Sequence, residues 1–249
     1  MRVAALYDIH GNLPALDAVL DDIRAADVDQ IVVGGDAVLG PMPNATLARL
    51  LEFDVPMHFI MGNCDREIIA QHAGDETSEL PAQVREIVRW VAEHMPPGYV
   101  RELESWPPTL HLEIDGLGGV LFCHATPRSD DEIFTEHTSE DVLRPIFETL
   151  NASVIVCGHT HMQFDRKVGA KRIVNAGSVG MPFGDPGADW LLLGPDVEFR
   201  HTTYDLTAAA ERIRATSLPY ANHFASQSVL KPPAKEVMLA AYAKSELTP

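Results

Sequence analysis

The stretch Val3-Ala4-Ala5-Leu6-Tyr7-Asp8-Ile9-His10-Gly11-Asn12 decides the fold class. Its opening apolar run reads as a strand buried on both faces, because no position is left for water on either side. The run ends in a carboxylate and an imidazole. Asn12 then caps a helix, with Pro14 in its first turn and Leu13, Leu16, Val19, Leu20 and Ile23 at helical spacing. The pattern continues with a strand from Gln30 into Gly34-Gly35-Asp36 and a helix over Ala45–Phe53. A third strand, Met57–Met61, runs into Gly62-Asn63-Cys64-Asp65. Alternating strands and helices predict an α/β core, in which ligands gather beyond the carboxyl ends of the strands.

Residues 66–109 read as a helical excursion over the sheet end. They are helical around 66–73 and 80–95, broken by Pro96-Pro97-Gly98 and closed by Trp106-Pro107-Pro108. The second half opens with an antiparallel pair, Leu110–Ile114 and Val120–Cys123, turned at Asp115-Gly116. A helix follows near Ser139–Leu150, capped by Thr138 or Ser139. A buried strand, Ser153–Cys157, ends in Gly158-His159-Thr160-His161. Short strands fill 163–205, and the tail, 206–249, reads as two helices packed on the outside. With no repeat and no linker, residues 1–249 are expected to form one domain. The excursion and the tail offer surfaces for a homo-oligomer.

Of the 249 residues, 46% are hydrophobic and 22% charged, which supports a sizeable core. The net charge of −17 opposes stable binding to nucleic acid or to anionic lipid. No run approaches 18 apolar residues, and the first residues lack a signal-peptide core. Three cysteines do not make a disulfide framework. A cytoplasmic protein acting on a small molecule is the expectation.

Five polar clusters each follow an apolar run: Asp8-Ile9-His10, Gly35-Asp36, Gly62-Asn63, Cys123-His124 and Gly158-His159-Thr160-His161. Residues i and i+2 of an extended segment share a side, so Asp8/His10 and His159/His161 are expected to act as pincers. Seven donors then share one rim: Asp8, His10, Asp36, Asn63, His124, His159 and His161. Singly, each reads as a helix cap or a partner for backbone groups. Together they are too many for one tetrahedral zinc but suit two metals sharing a carboxylate. Imidazole with carboxylate favours manganese, iron, cobalt, nickel or zinc over magnesium and calcium. Two divalent ions exceed the charge of Asp8 and Asp36, so the rim wants an anion such as a phosphate ester, attacked in line by hydroxide. Arg128 is a candidate fork donor to that phosphate. Cys64 is a candidate substrate contact. Cys123 and Cys157 alternate away from the rim into the core. The run Ser129-Asp130-Asp131-Glu132 reads as a solvated loop or a helix start.

In order, Asp8-x-His10, Gly35-Asp36, Gly62-Asn63-x-Asp65, His124 and Gly158-His159-x-His161 resemble the motifs of the calcineurin-like binuclear metallophosphoesterases, over roughly residues 1–205. Length and the Gly-Asn-Cys-Asp variant resemble its small bacterial and archaeal phosphodiesterase branch. The resemblance implies a four-layer α/β/β/α sandwich, a two-sheet β core flanked by helices. It implies that Asp8, His10 and His161 hold one metal, that Asn63, His124 and His159 hold a second, and that Asp36 bridges. Manganese is the favoured metal. Many members carry His where this chain has Cys64, and a thiol donates hydrogen bonds weakly, so esters with good leaving groups are expected. Phosphodiester hydrolysis is the first reading. Behind it stand a phosphomonoesterase, a nucleotide or dinucleoside-polyphosphate hydrolase, a protein phosphatase, and a non-catalytic scaffold of the same fold.

Overall fold

A computed structural model describes residues 1–75 and 80–248. Residues 76–79 of the expected excursion and residue 249 of the expected tail lie outside the described residues. Two five-stranded mixed sheets carry the fold. In the first, β1 (Val3–Leu6), β2 (Gln30–Val33) and β3 (Met57–Phe59) run parallel; β9 (Ala188–Leu193) joins β1 antiparallel, and β10 (Val197–Thr202) joins β9. In the second, β5 (Gly118–Cys123), β6 (Val154–Cys157) and β8 (Lys171–Asn175) run parallel. Antiparallel edges are supplied by β4 (Thr109–Ile114) and β7 (Phe164–Val168).

The two-residue period of a strand sorts side chains between layers. Val3, Ala5 and Tyr7 of the opening run meet Phe122, Val154 and Val156 between the sheets. Ala4 and Leu6 face outward onto α1 (Leu13–Ala25) and α2 (Pro43–Leu51), through Leu16, Val19, Leu20, Leu47 and Leu50. On the far side Leu121, Cys123, Ile155 and Cys157 pack on Leu143, Ile146 and Phe147 of α6 (Glu140–Phe147), so both cysteines lie in the core as expected. Each buried large side chain contributes about 1.5–3 kcal/mol, which makes the layer between the first sheet and its helices the main apolar store. The result is helix, sheet, sheet, helix: the four expected layers.

Local differences from the sequence reading have local reasons. The excursion holds α3 (Asn63–Ala73), α4 (Ala82–His94) and α5 (Pro97–Glu104). The Pro-Pro-Gly stretch starts a helix here, because Pro97 occupies the first turn, where its missing N–H costs nothing. Of the two candidate caps before α6, Ser139 accepts from Asp141 N, whereas the Thr138 hydroxyl donates to Glu246. The tail is not two helices. It holds α7 (Leu206–Arg214), α8 (Ala221–Phe224), a π-helical turn over Ala225–Leu230, and α9 (Lys235–Tyr242). No helix among the described residues is long and apolar enough to cross a membrane.

Candidate metal centre

All seven expected donors lie just past the carboxyl ends of β1, β2, β3, β5 and β6, on one rim shared by both sheets. The pincer geometry differs from the expectation. The strands stop at Leu6 and Cys157, and the backbone turns left-handed at Asp8 (φ 54°), His10 (48°), Asp36 (52°), His159 (65°) and His161 (58°). Among the described residues only two other non-glycine residues, Asp27 and Tyr220, have positive φ. Turn geometry, not strand alternation, therefore aims these side chains. Asp tolerates this region better than most side chains, and each such residue stores about 1–3 kcal/mol of strain.

Hydrogen bonds hold the strained turns. His10 N donates to Asp36 O (2.9 Å) and Gly11 N to Ala37 O (3.0 Å), locking the turns after β1 and β2 together. The Ser178 hydroxyl donates to Asp8 O (2.7 Å), and Asn175 Nδ2 donates to Gly158 O (2.6 Å). Asn12 caps α1, as expected, and its Nδ2 donates to Gly180 O. Asp65 accepts from Asp36 N (2.8 Å), Ala37 N (3.2 Å) and Gly62 N (3.2 Å), tying the Gly-Asp and Gly-Asn turns together. The sequence reading gave Asp65, Asn175 and Ser178 no such roles. Two signals were available: Asp65 in the Gly62-Asn63-x-Asp65 motif and the Asn-Ala-Gly-Ser turn at 175–178.

Three imidazoles point Nδ1 at backbone carbonyls: His10 at Leu39 O (3.3 Å), His124 at Gly34 O (2.8 Å) and His161 at Met181 O (2.9 Å). A carbonyl only accepts, so Nδ1 carries the proton and Nε2 turns into the rim, the arrangement that orients metal-binding histidines. The Nε2 atoms of His10 and His161 face each other at 3.2 Å. Asp8 Oδ1 sits 3.2 Å from His161 Nε2, 3.8 Å from His10 Nε2 and 3.9 Å from His124 Nε2. It is fully buried and accepts no hydrogen bond. A buried carboxylate oxygen beside converging imidazole nitrogens is short of a cation.

Two trios of ligand atoms lie close enough for one ion each: Asp8, His10 and His161; and Asp8, Asp36 and His124. A third trio joins His10 and Asp36 to Cys64. Asp36 faces both halves of the rim, Oδ2 at 3.8 Å from His10 Nε2 and Oδ1 at 3.5 Å from His124 Nε2. Asn63 Oδ1 lies 3.1 Å from His124 Nε2, and the His159 ring stands edge-on to His124 at 5.2 Å.

The electrostatics agree with a site built for positive charge. Burial would lower the His124 imidazolium, but Asp36 and Asp8 outweigh it and push its pKa up to about 10. His161 is raised in the same way against burial, by Asp8. Burial would raise both carboxyls, yet His124 holds Asp36 low and His161 holds Asp8 low. Burial and neighbouring imidazoles lower His10, and bring His159 down to about 4. Metal-free, the rim balances its two carboxylates with protons that a divalent cation would displace.

The two expected substrate contacts are placed differently. Cys64 lies in the first turn of α3, its amide donating to Asp36 Oδ1 (2.8 Å), and burial together with Asp36 raises its thiol well above the ordinary value. Arg128 is exposed and its guanidinium is paired with Glu132 (2.6 Å). The acidic run is not merely solvated: Asp130 grips Arg66 through two hydrogen bonds of 2.8 and 2.9 Å, and Glu132 takes Arg128 and the Thr126 hydroxyl. These pairs frame a cavity of about 530 Å³ that reaches His124 and is walled by Met61, Trp106, Pro108 and Pro127.

Residues 1–194 match the family model described as the calcineurin-like phosphoesterase superfamily domain. The uncharacterized protein MJ0912 of Methanocaldococcus jannaschii is 27% identical over 237 residues, spanning 87% of this chain and 93% of that protein. The solved metallophosphoesterase of Sphaerobacter thermophilus is 27% identical with a TM-score of 0.69, covering 92% of this chain and 99% of its own. The hypothetical protein PH1004 of Pyrococcus horikoshii OT3 shares the fold with a TM-score of 0.78 at 21% identity, covering 94% of this chain and 99% of that one. Donor set, fold and family model converge: the chain belongs to the calcineurin-like phosphoesterase superfamily, and it is a phosphoester hydrolase whose rim holds Asp/His groups able to bind metal.

Proposed function

We propose that the protein is a binuclear metal-dependent phosphodiesterase. The buried Asp8 Oδ1, which accepts no hydrogen bond and is ringed by imidazole nitrogens, is the observation that carries this reading. Asp8, His10 and His161 would hold one ion, Asn63, His124 and His159 the other, with Asp36 shared between them. Manganese is the favoured ion, and iron, zinc, cobalt or nickel suit the same donors. When bound, such ions polarise phosphoryl oxygens and make water acidic enough to supply a nucleophile near neutral pH. The protein's own work is to fix the Nε2 atoms through the carbonyls of Gly34, Leu39 and Met181. It also seats the substrate's organic group in the apolar cavity beside His124.

A diester is favoured for two reasons. The Cys64 thiol stays protonated and donates weakly, so it gives a poor leaving group little help. Two dications against Asp8 and Asp36 leave about two positive charges, and hydroxide one, which a singly charged diester balances. The test is hydrolysis of bis-p-nitrophenyl phosphate and p-nitrophenyl phosphate before and after chelation. We expect diester turnover that chelation abolishes and manganese restores. Asp36→Ala should lower it by more than the about 10–100-fold cost of losing a ligand's outer partner. Monoester turnover alone would overturn the diester preference. Turnover indifferent to chelation would overturn the metal site.

A further inference from the structure

The last helix approaches the candidate metal rim through Phe183. Among its described residues α9 has none that is buried, yet the segment around it is anchored on both sides. Around its start, Gly184 N donates to Pro233 O (2.9 Å), and Lys235 Nζ donates to Gln163 O (3.2 Å) and pairs with Glu136 (3.1 Å). After it, the Thr138 hydroxyl donates to Glu246 (2.7 Å) and Leu247 N to Ile133 O (2.9 Å). A helix without a buried face gains little from the hydrophobic effect, so these anchors set its place.

They hold Tyr242. The Phe183 ring stacks on His161 (centroids 5.1 Å apart, planes 25°), and the Tyr242 ring tilts against Phe183 at 6.4 Å. An aromatic relay thus runs from a rim imidazole to the end of α9. Tyr242 is half-buried, and burial first, then the negative charge of Asp8, keeps its phenol protonated. Among the described residues its hydroxyl makes no hydrogen bond to protein, and it does not count among the buried polar atoms left unpaired. A tyrosine hydroxyl that no protein group claims is available to a ligand. The rim is short of such donors, since its imidazoles and carboxylates face inward and Arg66 and Arg128 are committed to Asp130 and Glu132.

We propose that Tyr242 is a substrate-binding residue, its hydroxyl donating to a non-bridging phosphoryl oxygen of an ester held at the rim. The inference rests on the phosphoesterase reading above. It makes the C-terminal segment, outside the matched residues 1–194, part of the site.

Tyr242→Phe removes the hydroxyl and keeps the ring. The test compares full-length, manganese-loaded wild type and variant by calorimetric binding of inorganic phosphate, steady-state kinetics on bis-p-nitrophenyl phosphate, metal content and Tm. Phosphate Kd and diester KM should rise about tenfold, the scale of one hydrogen bond to a charged acceptor, with metal content and Tm unchanged. Phosphate affinity within twofold of wild type would overturn the proposal. So would a loss of affinity accompanied by lost metal or lowered Tm, which marks a structural role. Wild-type protein that binds manganese but no phosphate would instead remove the underlying reading, and this inference with it.

Discussion

Asp65 shows how one side chain can set the geometry of a site without facing a ligand. Its carboxylate takes the amides of Gly62, Asp36 and Ala37, so the turns carrying Asn63 and Asp36 move as one body. Burial and the nearby Asp36 push its pKa up to about 7, so the interaction is won against desolvation. Asp65→Asn replaces one accepting oxygen with an NH2 group pointed at amide donors. The expected cost is about 1–3 kcal/mol of stability, the range for an unsatisfied buried polar group. Manganese affinity should fall about 10–100-fold as the orienting contact is lost. Thermal denaturation and a manganese titration of the variant check the two effects separately.

At the scale of elements, the site depends on backbone passing very close to side chains where β6 and β1 end. A Cβ on Gly158 would stand 2.5 Å from Asp8 Oδ2 and 2.5 Å from the Tyr7 ring. Gly35 leaves no more room, its Cβ falling 2.7 Å from His124 Nδ1. Gly158→Ala should therefore displace Asp8, costing about 1–3 kcal/mol by overpacking. Diester turnover should fall further than stability alone explains. Tm and turnover measured together decide it: full activity in a folded Gly158→Ala protein would mean that Asp8 is free to shift. The same crowding explains why five donors sit in left-handed turns, since only a sharp reversal lets a side chain return toward the rim so soon after a strand ends.

For the whole molecule, the site joins two sheets whose inner faces meet around Tyr7, Phe122 and Val156, with the Tyr7 hydroxyl donating to Val156 O (3.0 Å) across the gap. Its charge balance should be visible in global stability. The folded, metal-free protein keeps His124 protonated up to about pH 10, whereas the unfolded chain releases that proton near 6.5. A raised folded pKa stabilises fully below the unfolded value and loses that contribution as pH climbs through the folded one. Tm of chelator-treated protein should accordingly fall between pH 7 and 10. Manganese-loaded protein should lose most of this slope, because a coordinated imidazole is neutral throughout. Equal slopes with and without metal would show that His124 is not a ligand.

The sequence by itself determined the alternating order of strands and helices and the membership of the rim, and only the resemblance of its motifs to a known family implied the four layers. Strand burial and helix periodicity are local signals, and polar residues directly after apolar runs must emerge at strand ends, so all seven donors were readable one segment at a time. Tertiary structure alone decided how those donors are aimed and what holds them. The left-handed turns arise from crowding between β1, β2 and β6. Asn175, Ser178 and Asp65 act through contacts with residues far along the chain. The Asp130 grip on Arg66 spans 64 positions, and no local pattern encodes it. The approach of Tyr242 toward His161 depends on anchors at 133–138, 163 and 184, which only the folded chain brings within reach of α9. Periodicity records which face of an element is buried; which distant groups meet there is settled by packing.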